Sequence, residues 1–341
     1  MTHTVTLIPG DGIGPEIADA VQKVLAAAGA PVQWDLQPLD ETILKGTKGV
    51  PPAAVLDSIH HNRVALKGPL MTPVGTGYTS LNLVLRKTFD LYANVRPAKT
   101  RPGVRSRYDN VDIIVVRENT EGEYSSVGGR MFEGTEREFV TQQSCFTRKG
   151  VDRIMKFAFD LALTRPRKHV TSATKSNGIS ITMPYWDERF AAMGARYPQV
   201  KTSQYHIDGL TIQMVLNPQR FDVIVGSNLF GDILSDLGPA TAGTIGIAPS
   251  ANLNPERAFP SLFEPVHGSA PDIYGRAIAN PIGQIWSGAM MLDHLGEPAA
   301  GAAIVAAIEK AMAPGSGAPR TPDIGGRAKT EDLGKAIAEA V

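Results

Sequence analysis

Cysteine is nearly absent from this 341-residue sequence, which contains Cys145 alone. One thiol cannot form an intramolecular disulfide or a cysteine-based zinc site, and its scarcity suits a reducing compartment. The sequence also lacks an apolar run of the roughly 18 residues that a membrane span needs. Its first strand is expected at residue 4 or 5, which leaves no room for a leader peptide. We therefore expect a soluble, cytoplasmic protein that does not bind a membrane.

An excess of either charge is missing as well, because 34 lysine and arginine residues balance 34 aspartate and glutamate residues. A chain without net charge has no general attraction for nucleic acid or for an anionic membrane. Its length exceeds what one hydrophobic core usually serves. We expect two domains or halves, and a small molecule or a protein as partner.

Short β-branched segments alternate along the chain with segments whose apolar residues lie three or four apart. The strand-like segments read TVTLI, RVALKG, VDIIVV, HVTSAT and FDVIVG. The clearest helical spacing runs from Ile17 to Ala28 and is closed by Gly29. This alternation predicts an α/β protein with a largely parallel sheet.

Three stretches depart from this rhythm. Residues 99–110 are polar and basic around a Pro-Gly pair, which indicates a loop where the chain changes domain. Residues 125–149 combine glycines with alternating apolar positions, so hairpin-like strands are favoured over a helix. Residues 298–341 hold two alanine-rich helical segments around a Pro- and Gly-rich loop.

The stretch LIPGDGIGPEI at residues 7–17 looks like a phosphate-binding loop but fails the Rossmann pattern. That pattern needs a third glycine where Pro15 or Ile17 stands, depending on the register. Asp35 would satisfy a loose search for the ribose-binding acid, but the glycines do not support it. We expect a tight turn with a proline at the first helical position, whose glycines leave room for a ligand near the backbone.

Arginines near predicted element ends form a first candidate cluster. Arg86 lies in SLNLVLRKTFDLYANVRP, Arg96 ends the same stretch, and Arg117 ends the strand VDIIVVR. Each guanidinium offers a planar fork to a carboxylate, so a ligand with several carboxylates is implied. For any one of them a surface position is the alternative. Ser80 and Asn82 stand at the start of the same helical segment.

Acidic residues form a second cluster. Asp232 and Asp236, in NLFGDILSDLG, lie on one face of a helix and repel each other unless a cation separates them. With Asp208, in YHIDGL, they offer hard oxygen ligands suited to Mg²⁺ or Mn²⁺. A solvated helix face is the alternative on spacing alone. The neighbours argue for a site because they are mostly apolar: Leu229, Phe230, Ile233, Leu234 and Leu237.

Tyr124 and Lys175 form a third candidate cluster. Lys175 follows the strand HVTSAT, at the edge of a parallel sheet where active sites gather, and partial burial of a lysine favours proton transfer. Residues 263–281 are too irregular for a strand or a helix and could wrap a nucleotide with backbone groups, His267 and Asn280.

Together these segments resemble the metal-dependent β-decarboxylating dehydrogenases, which oxidise isocitrate, 3-isopropylmalate, homoisocitrate or tartrate. The resemblance covers nearly the whole chain and is strongest in NLFGDILSDLGPATAGTIGIAPSANL and FEPVHGSAPDI. It implies a non-Rossmann, isopropylmalate dehydrogenase-like α/β fold with a mixed, largely parallel sheet flanked by helices. Residues 1–98 and 252–341 would form a large domain on the cofactor side, and residues 99–251 a small domain with the dimer interface. The arm 125–149 would clasp the partner in a homodimer.

The same resemblance implies roles for individual residues. Those expected to bind the substrate carboxylates are Ser80, Asn82, Arg86, Arg96 and Arg117. Those expected to bind Mg²⁺ or Mn²⁺ are Asp208, Asp232 and Asp236. The catalytic group comprises Tyr124 as general acid, Lys175 as general base and Asp208, with Lys175 and Asp208 supplied by the other subunit. Those expected at the cofactor are Thr72, Asn177, Glu264, His267, Gly268, Ala270, Asp272, Ile273 and Asn280.

Substrate and cofactor follow from two short segments. Ser80-Leu81-Asn82 resembles the isocitrate enzymes and suits a tricarboxylate, which predicts an isocitrate dehydrogenase of the tricarboxylic acid cycle. Homoisocitrate is the main alternative because YANVRPAKTRPG also resembles its enzymes; 3-isopropylmalate, tartrate and a non-catalytic regulatory subunit remain further alternatives. Asp272 would accept hydrogen bonds from ribose hydroxyls and repel a 2′-phosphate, so NAD is expected.

Overall fold

A computed structural model describes residues 2–47, 50–71 and 80–341, so the predicted cofactor residue Thr72 lies outside the described residues. The strands are β1 His3–Ile8, β2 Val32–Leu36, β3 Val64–Lys67, β4 Ala93–Lys99, β5 Asp112–Glu118, β6 Gly122–Met131, β7 Phe139–Cys145, β8 His169–Thr174, β9 Lys201–His206, β10 Val223–Gly226, β11 Pro249–Leu253 and β12 Ser261–Pro265. The helices are α1 Gly14–Ala27, α2 Glu41–Gly46, α3 Ala53–Asn62, α4 Leu81–Thr88, α5 Arg148–Leu163, α6 Thr182–Gly194, α7 Ile207–Leu216, α8 Asn228–Ala242, α9 Ile282–Leu295, α10 Pro298–Met312 and α11 Thr330–Ala340.

One mixed sheet carries most of the described strands. Its order is β2-β1-β3-β12-β11-β4-β5-β10-β8-β9, and β6 and β7 form a separate hairpin. Neighbours pair in parallel except at β12-β11, β11-β4 and β4-β5. Every residue of β3 and β10 is buried, as expected for parallel strands covered by helices on both faces. The predicted largely parallel α/β sheet is therefore confirmed.

Two main hydrophobic clusters fill the space beside this sheet. One joins β5, β8 and β10 to α5, α6 and α8, with Trp186 fully buried among them. The other joins β1, β3 and β12 to α1, α9, α10 and α11. This arrangement accords with two domains, and the domain boundaries stay a prediction. Among the described residues, no helix has the length and apolar character needed to cross a membrane.

The stretches that depart from the rhythm behave largely as predicted. Residues 100–111 form a loop between β4 and β5. The expected arm is the β6-β7 hairpin, but its predicted limits are wrong at both ends. It starts at Gly122, and Arg148 already belongs to α5, because the Thr147 hydroxyl caps that helix by accepting from the Gly150 amide at 2.9 Å.

The glycine turn before α1 packs closely against neighbouring backbone. Gly10 and Gly12 have φ angles of +79° and +57°, and a Cβ on either would lie 2.1 Å from a backbone oxygen, that of Pro69 or Ser269 respectively. Glycine is therefore required at both positions, and the expected room for a ligand near this backbone stays a prediction. Asp35 accepts hydrogen bonds from nearby side chains, including Ser58 at 2.7 Å, as a structural acid does.

Candidate active site

Three buried or nearly buried arginines lie close enough for their charges to act on one another. Arg86 comes from α4, Arg96 from β4 and Arg117 from the end of β5, and their side chains are 11%, 8% and 1% exposed. Burial lowers the pKa of Arg96 and Arg117, and the positive charge of Arg86 lowers both further. An arginine stays protonated in such surroundings, so the three form a concentrated positive field. The structure thus brings the first predicted cluster together.

The carboxylates of α8 face this field. Asp232 forms ion pairs with Arg117 and with Arg96, the latter at 3.7 Å, and Asp236 lies 3.5 Å from Arg96. The Arg96 guanidinium also donates to Ser235 Oγ at 2.7 Å. The expected apolar surroundings are only partly correct, since the side chain of Asp236 is 62% exposed and Ile233 is 46% exposed. The feature that distinguishes this site is therefore the group of buried arginines paired with Asp232 and Asp236, since these two acids are themselves partly exposed.

Tyr124, near the start of β6, joins the same group. Its hydroxyl donates to Asp232 Oδ2 at 3.1 Å, and the Arg117 guanidinium lies 5.6 Å from the centre of its ring. Burial and the charge of Asp232 raise the pKa of Tyr124, so the phenol keeps its proton at neutral pH. A protonated hydroxyl beside carboxylates and arginines can donate a proton to a bound anion.

Lys175 and Asp208 form an ion pair with each other in the same chain. The Lys175 Nζ is 2.8 Å from Asp208 Oδ1, and the two side chains are 30% and 66% exposed. Within the described ranges, no hydrogen bond or ion pair joins either residue to Tyr124, Asp232 or Asp236, and no three side chains are grouped to hold a metal ion. Asp232 and Asp236 therefore offer two carboxylates suited to Mg²⁺ or Mn²⁺, and the predicted third ligand, Asp208, stays a prediction.

Glu264, in β12, lies next to Arg86. It forms a buried ion pair with Lys67 at 2.7 Å, lies 3.5 Å from Arg86, and accepts from the Asn252 amide at 2.9 Å. Burial alone would raise the pKa of Glu264, but Lys67 and Arg86 lower it to about 2. Glu264, Lys67 and Arg86 line a small cavity together with Asn82. The Oδ1 atom of Asn82 is buried without a partner among the described residues.

A second pocket, of about 350 Å³, opens beside the glycine turn. Five predicted cofactor residues line it: His267, Gly268, Ala270, Ile273 and Asn280. Ile13 of the turn lines it too, and its amide donates to Ser269 O at 3.2 Å. Three other predicted cofactor residues do not line it: Glu264 lies with Arg86, Asn177 follows Lys175 in the loop after β8, and Asp272 is exposed beside the pocket.

The polar atoms of this pocket suit a nucleotide base. His267 Nδ1 is 3.1 Å from the Gly268 carbonyl, which can only accept, so the proton lies on Nδ1. Burial lowers the pKa of His267 and keeps the ring neutral. Its Nε2 is buried without a partner among the described residues, so this nitrogen can accept a hydrogen bond from a ligand. The Asn280 side chain is engaged, because its amide donates to Asp323 at 3.0 Å and its oxygen accepts from the Ile282 amide at 3.0 Å.

Both the sequence and the fold of this chain match known proteins over almost the whole length of the chain. The model of the isocitrate/isopropylmalate dehydrogenase family matches residues 4–337. This chain belongs to the isocitrate/isopropylmalate dehydrogenase family.

Its relatives span several substrates. A protein of Escherichia coli (strain K12) named D-malate dehydrogenase (decarboxylating) is 50% identical over 363 residues, covering 100% of this chain and 99% of the relative. The tartrate dehydrogenase/decarboxylase of Pseudomonas putida is 52% identical over 359 residues, covering 99% and 97%. The crystal structure of isocitrate dehydrogenase from Methylococcus capsulatus superposes with a TM-score of 0.93 at 42% identity, covering 99% of both chains. The predicted family and fold are thus confirmed.

Several residues of this candidate site do not follow from the sequence alone. They are Lys67, Glu123, Asn228, Ser235 and Asp323. Lys67 had a usable signal, since it ends the strand RVALKG at the edge where parallel strands place active sites. Asn228, which accepts from Arg117 at 2.7 Å, begins α8 and looks like an ordinary helix start. Its role depends on the strand packed against it, which local sequence does not reveal.

Proposed function

We propose that this chain is an NAD-dependent decarboxylating dehydrogenase acting on a four-carbon 2-hydroxydicarboxylate, D-malate or tartrate, with Mg²⁺ or Mn²⁺. The observation that supports this most is the pairing of Arg96 and Arg117 with Asp232, where the Tyr124 hydroxyl also binds and the charge of Arg86 is close enough to act on both arginines. Such a site can hold carboxylates, a divalent cation and a proton donor together. It retains acid and metal-binding groups, which argues against a non-catalytic regulatory subunit.

The choice of substrate departs from the isocitrate predicted from Ser80 and Asn82. Two relatives at 50% and 52% identity are named for D-malate and tartrate, whereas the isocitrate dehydrogenase of known structure shares 42%. The short Ser-x-Asn segment is thus a weaker guide than similarity over the whole chain. Once isocitrate is no longer the preferred substrate, the predicted role in the tricarboxylic acid cycle loses its support. The alternative role in homoisocitrate oxidation also has no support from these relatives.

The arginines keep hydrogen-bonding capacity for substrate carboxylates. Each nitrogen of the Arg117 guanidinium group donates to Asn228 or Asp232, which uses three of its five N–H donors. Arg86 and Arg96 each keep a buried Nε without a partner among the described residues. Buried donors left unpaired are costly, so two arginines have bonding capacity for a ligand. Arg86 is also partly neutralised by Glu264, 3.5 Å away.

Each residue then has a chemical task. Arg86 and Arg96 bind the two carboxylates and orient C2 of the substrate. Lys175 of the partner subunit accepts the C2 hydroxyl proton as hydride leaves C2, and loss of CO₂ from the 3-carboxyl position leaves an enolate. Tyr124 protonates the enolate carbon. When bound, the metal would supply Lewis-acid polarisation, held by Asp232 and Asp236, and NAD would supply the hydride acceptor.

A homodimer with shared active sites completes this proposal. Asp208 lies in the first turn of α7 and pairs with the partly exposed Lys175, and Ile212 and Leu216 of the same helix are 56% and 57% exposed. Ile233 on α8 is 46% exposed, so the two helices present an apolar surface suited to burial against another subunit. The β6-β7 hairpin is proposed as the arm, within a small domain of residues 99–251 beside a large domain of residues 1–98 and 252–341.

For the cofactor we propose that His267 and the pocket beside it hold the adenine end of NAD. A neutral imidazole with a buried, unpaired Nε2 fits a base that carries an amino group. Asp272 stands exposed at the rim, where a carboxylate disfavours the 2′-phosphate of NADP.

The test is NADH formation by the purified protein with Mn²⁺ and, in turn, D-malate, the tartrate stereoisomers, isocitrate, homoisocitrate and 3-isopropylmalate. We expect kcat/KM for D-malate or tartrate to exceed that for isocitrate by about tenfold or more, since hydrogen-bonding sites discriminate strongly. A higher kcat/KM for isocitrate or homoisocitrate would reject the proposed substrate class. Faster reduction of NADP than of NAD would reject the cofactor assignment.

A further inference from the structure

Helix α8, which carries Asp232 and Asp236, begins without a cap of its own. Ser227 is its N-cap residue, yet the Ser227 side chain makes no capping bond. The second residue of the helix, Leu229, instead donates its amide to Glu123 Oε2 at 3.1 Å, and Ser227 Oγ donates to Glu123 Oε1 at 2.7 Å. An acceptor at the second or third helical amide is what a cap provides, and a negative charge at this end is favoured by the helix dipole.

The cap therefore comes from another element, strand β6. The residue after Glu123 is Tyr124, whose hydroxyl donates to Asp232 Oδ2 one turn further along the same helix. Successive side chains of a regular strand leave on opposite faces. Here both reach α8, and the register of β6 with β7 is irregular between Gly122 and Val127, with Gly122 at φ +80°. The start of β6 therefore contacts α8 at two points, through Glu123 and through Tyr124.

Asn228 fixes the same helix end to β5 and to the segment that follows it. Its side-chain amide donates to the Glu121 carbonyl at 3.0 Å, and its Oδ1 accepts from Arg117 Nε and Nη2, in β5, at 3.1 and 2.7 Å. Arg117 also pairs with Asp232. The position of Asp232 relative to Tyr124 and Arg117 thus depends on where the first turn of α8 is held.

We propose that Glu123 is a positioning residue: by capping α8 from strand β6, it holds the helix in the register that places Asp232 against Tyr124 and Arg117. This inference rests on the proposed function for the roles of Asp232 and Tyr124. Both carboxylate oxygens of Glu123 are bonded to the start of α8, one to Ser227 and one to Leu229.

The test compares Glu123→Ala with Glu123→Gln in the full-length protein, with Glu331→Gln on the exposed start of α11 as the charge control. Glutamine keeps an oxygen for the Leu229 amide but loses the charge. The first measurement is hydrogen exchange of the peptide that contains the first turn of α8. The second is the Mn²⁺ dissociation constant from electron paramagnetic resonance, and the third is the melting temperature.

For Glu123→Ala we expect exchange of the first turn to quicken about tenfold. Mn²⁺ should bind about tenfold more weakly, and kcat should fall about tenfold to a hundredfold. Glu123→Gln should recover most of each loss. Wild-type exchange and Mn²⁺ affinity in the alanine variant would overturn the proposal. So would equal losses in both variants, or a lower melting temperature with unchanged Mn²⁺ affinity.

The two levels of the proposal fail separately. Wild-type protein that neither binds Mn²⁺ nor oxidises any of the acids would reject the proposed function. The exchange measurement would still decide whether Glu123 anchors α8, since it needs neither metal nor substrate.

Discussion

The ammonium of Lys67 and the carboxylate of Glu264 lie 2.7 Å apart, and their side chains are only 1% and 7% exposed. Lys67 ends β3 and Glu264 lies in the neighbouring strand β12, which pairs with it in parallel. The pair places a compensated negative charge next to Arg86. It therefore couples the sheet to one of the arginines proposed to bind substrate.

Replacing Lys67 by methionine should destabilise the protein, because it leaves Glu264 buried with only the more distant Arg86 for compensation. We expect the free energy of unfolding at neutral pH to fall by about 3 kcal/mol, as when other buried ion pairs lose one partner. Denaturant titration measures this. The matched control is Lys23→Met, since Lys23 is 58% exposed and pairs on the surface of α1.

The same pair predicts a pH dependence with a definite sign. The pKa of Glu264 falls from 4.5 to about 2 on folding, so its charge contributes stability above pH 4.5, and this contribution is lost as the pH falls towards 2. The difference between wild type and Lys67→Met should therefore be largest at neutral pH and shrink in acid. A difference that stays constant over that range would mean that the lost lysine acts through packing.

Replacing Tyr124 by phenylalanine tests the proposed proton donor. The ring remains, but the hydroxyl that lies 3.1 Å from Asp232 is lost. We expect kcat to fall on the order of a hundredfold, the usual range for removing a general acid, while Mn²⁺ affinity changes little. Tyr197→Phe is the control, because Tyr197 makes the same kind of bond to Asp160, at 2.6 Å, away from the site. Near-normal turnover would remove Tyr124 from the mechanism.

The sequence predicts the fold and the candidate site residues better than it predicts which residues form hydrogen bonds and ion pairs with them. The strand and helix periods lie within short windows, so β1, β8 and the two tail helices follow from local pattern. Arg86 and Arg117 stand near element ends, where chemistry is expected, but the same expectation for Arg96 is wrong, since it lies in the middle of β4. Their partners depend on which strands become neighbours, and sequence spacing does not encode that.

One error shows the same limit. Asp236 is expected among apolar residues, but α8 turns part of that face outwards, and Asp236 is 62% exposed. This position depends on long-range packing. The substrate is harder still, because one methylene or carboxylate changes few residues.

Replacing Asp272 by asparagine tests cofactor choice. Asparagine keeps the size of the side chain but removes the charge that should accept from ribose hydroxyls and repel a 2′-phosphate. We expect KM for NAD to rise about tenfold and the preference for NAD over NADP to shrink. Steady-state kinetics with both cofactors measure this, with Asp109→Asn in an exposed loop as control. Unchanged preference would assign the discrimination to another residue.

Mixing two inactive variants tests whether subunits share an active site. Lys175 and Tyr124 have no described contact within one chain, so each complete site should take Lys175 from one subunit and Tyr124 from the other. Lys175→Ala and Tyr124→Phe should each be nearly inactive as homodimers. After the two are unfolded and refolded together, half of the dimers should be mixed, and each mixed dimer has one intact site and one doubly defective site. We expect about a quarter of wild-type activity to return. Refolding each variant alone is the control, and no recovery from the mixture, despite mixed dimers detected by mass, would show that each chain builds its own site.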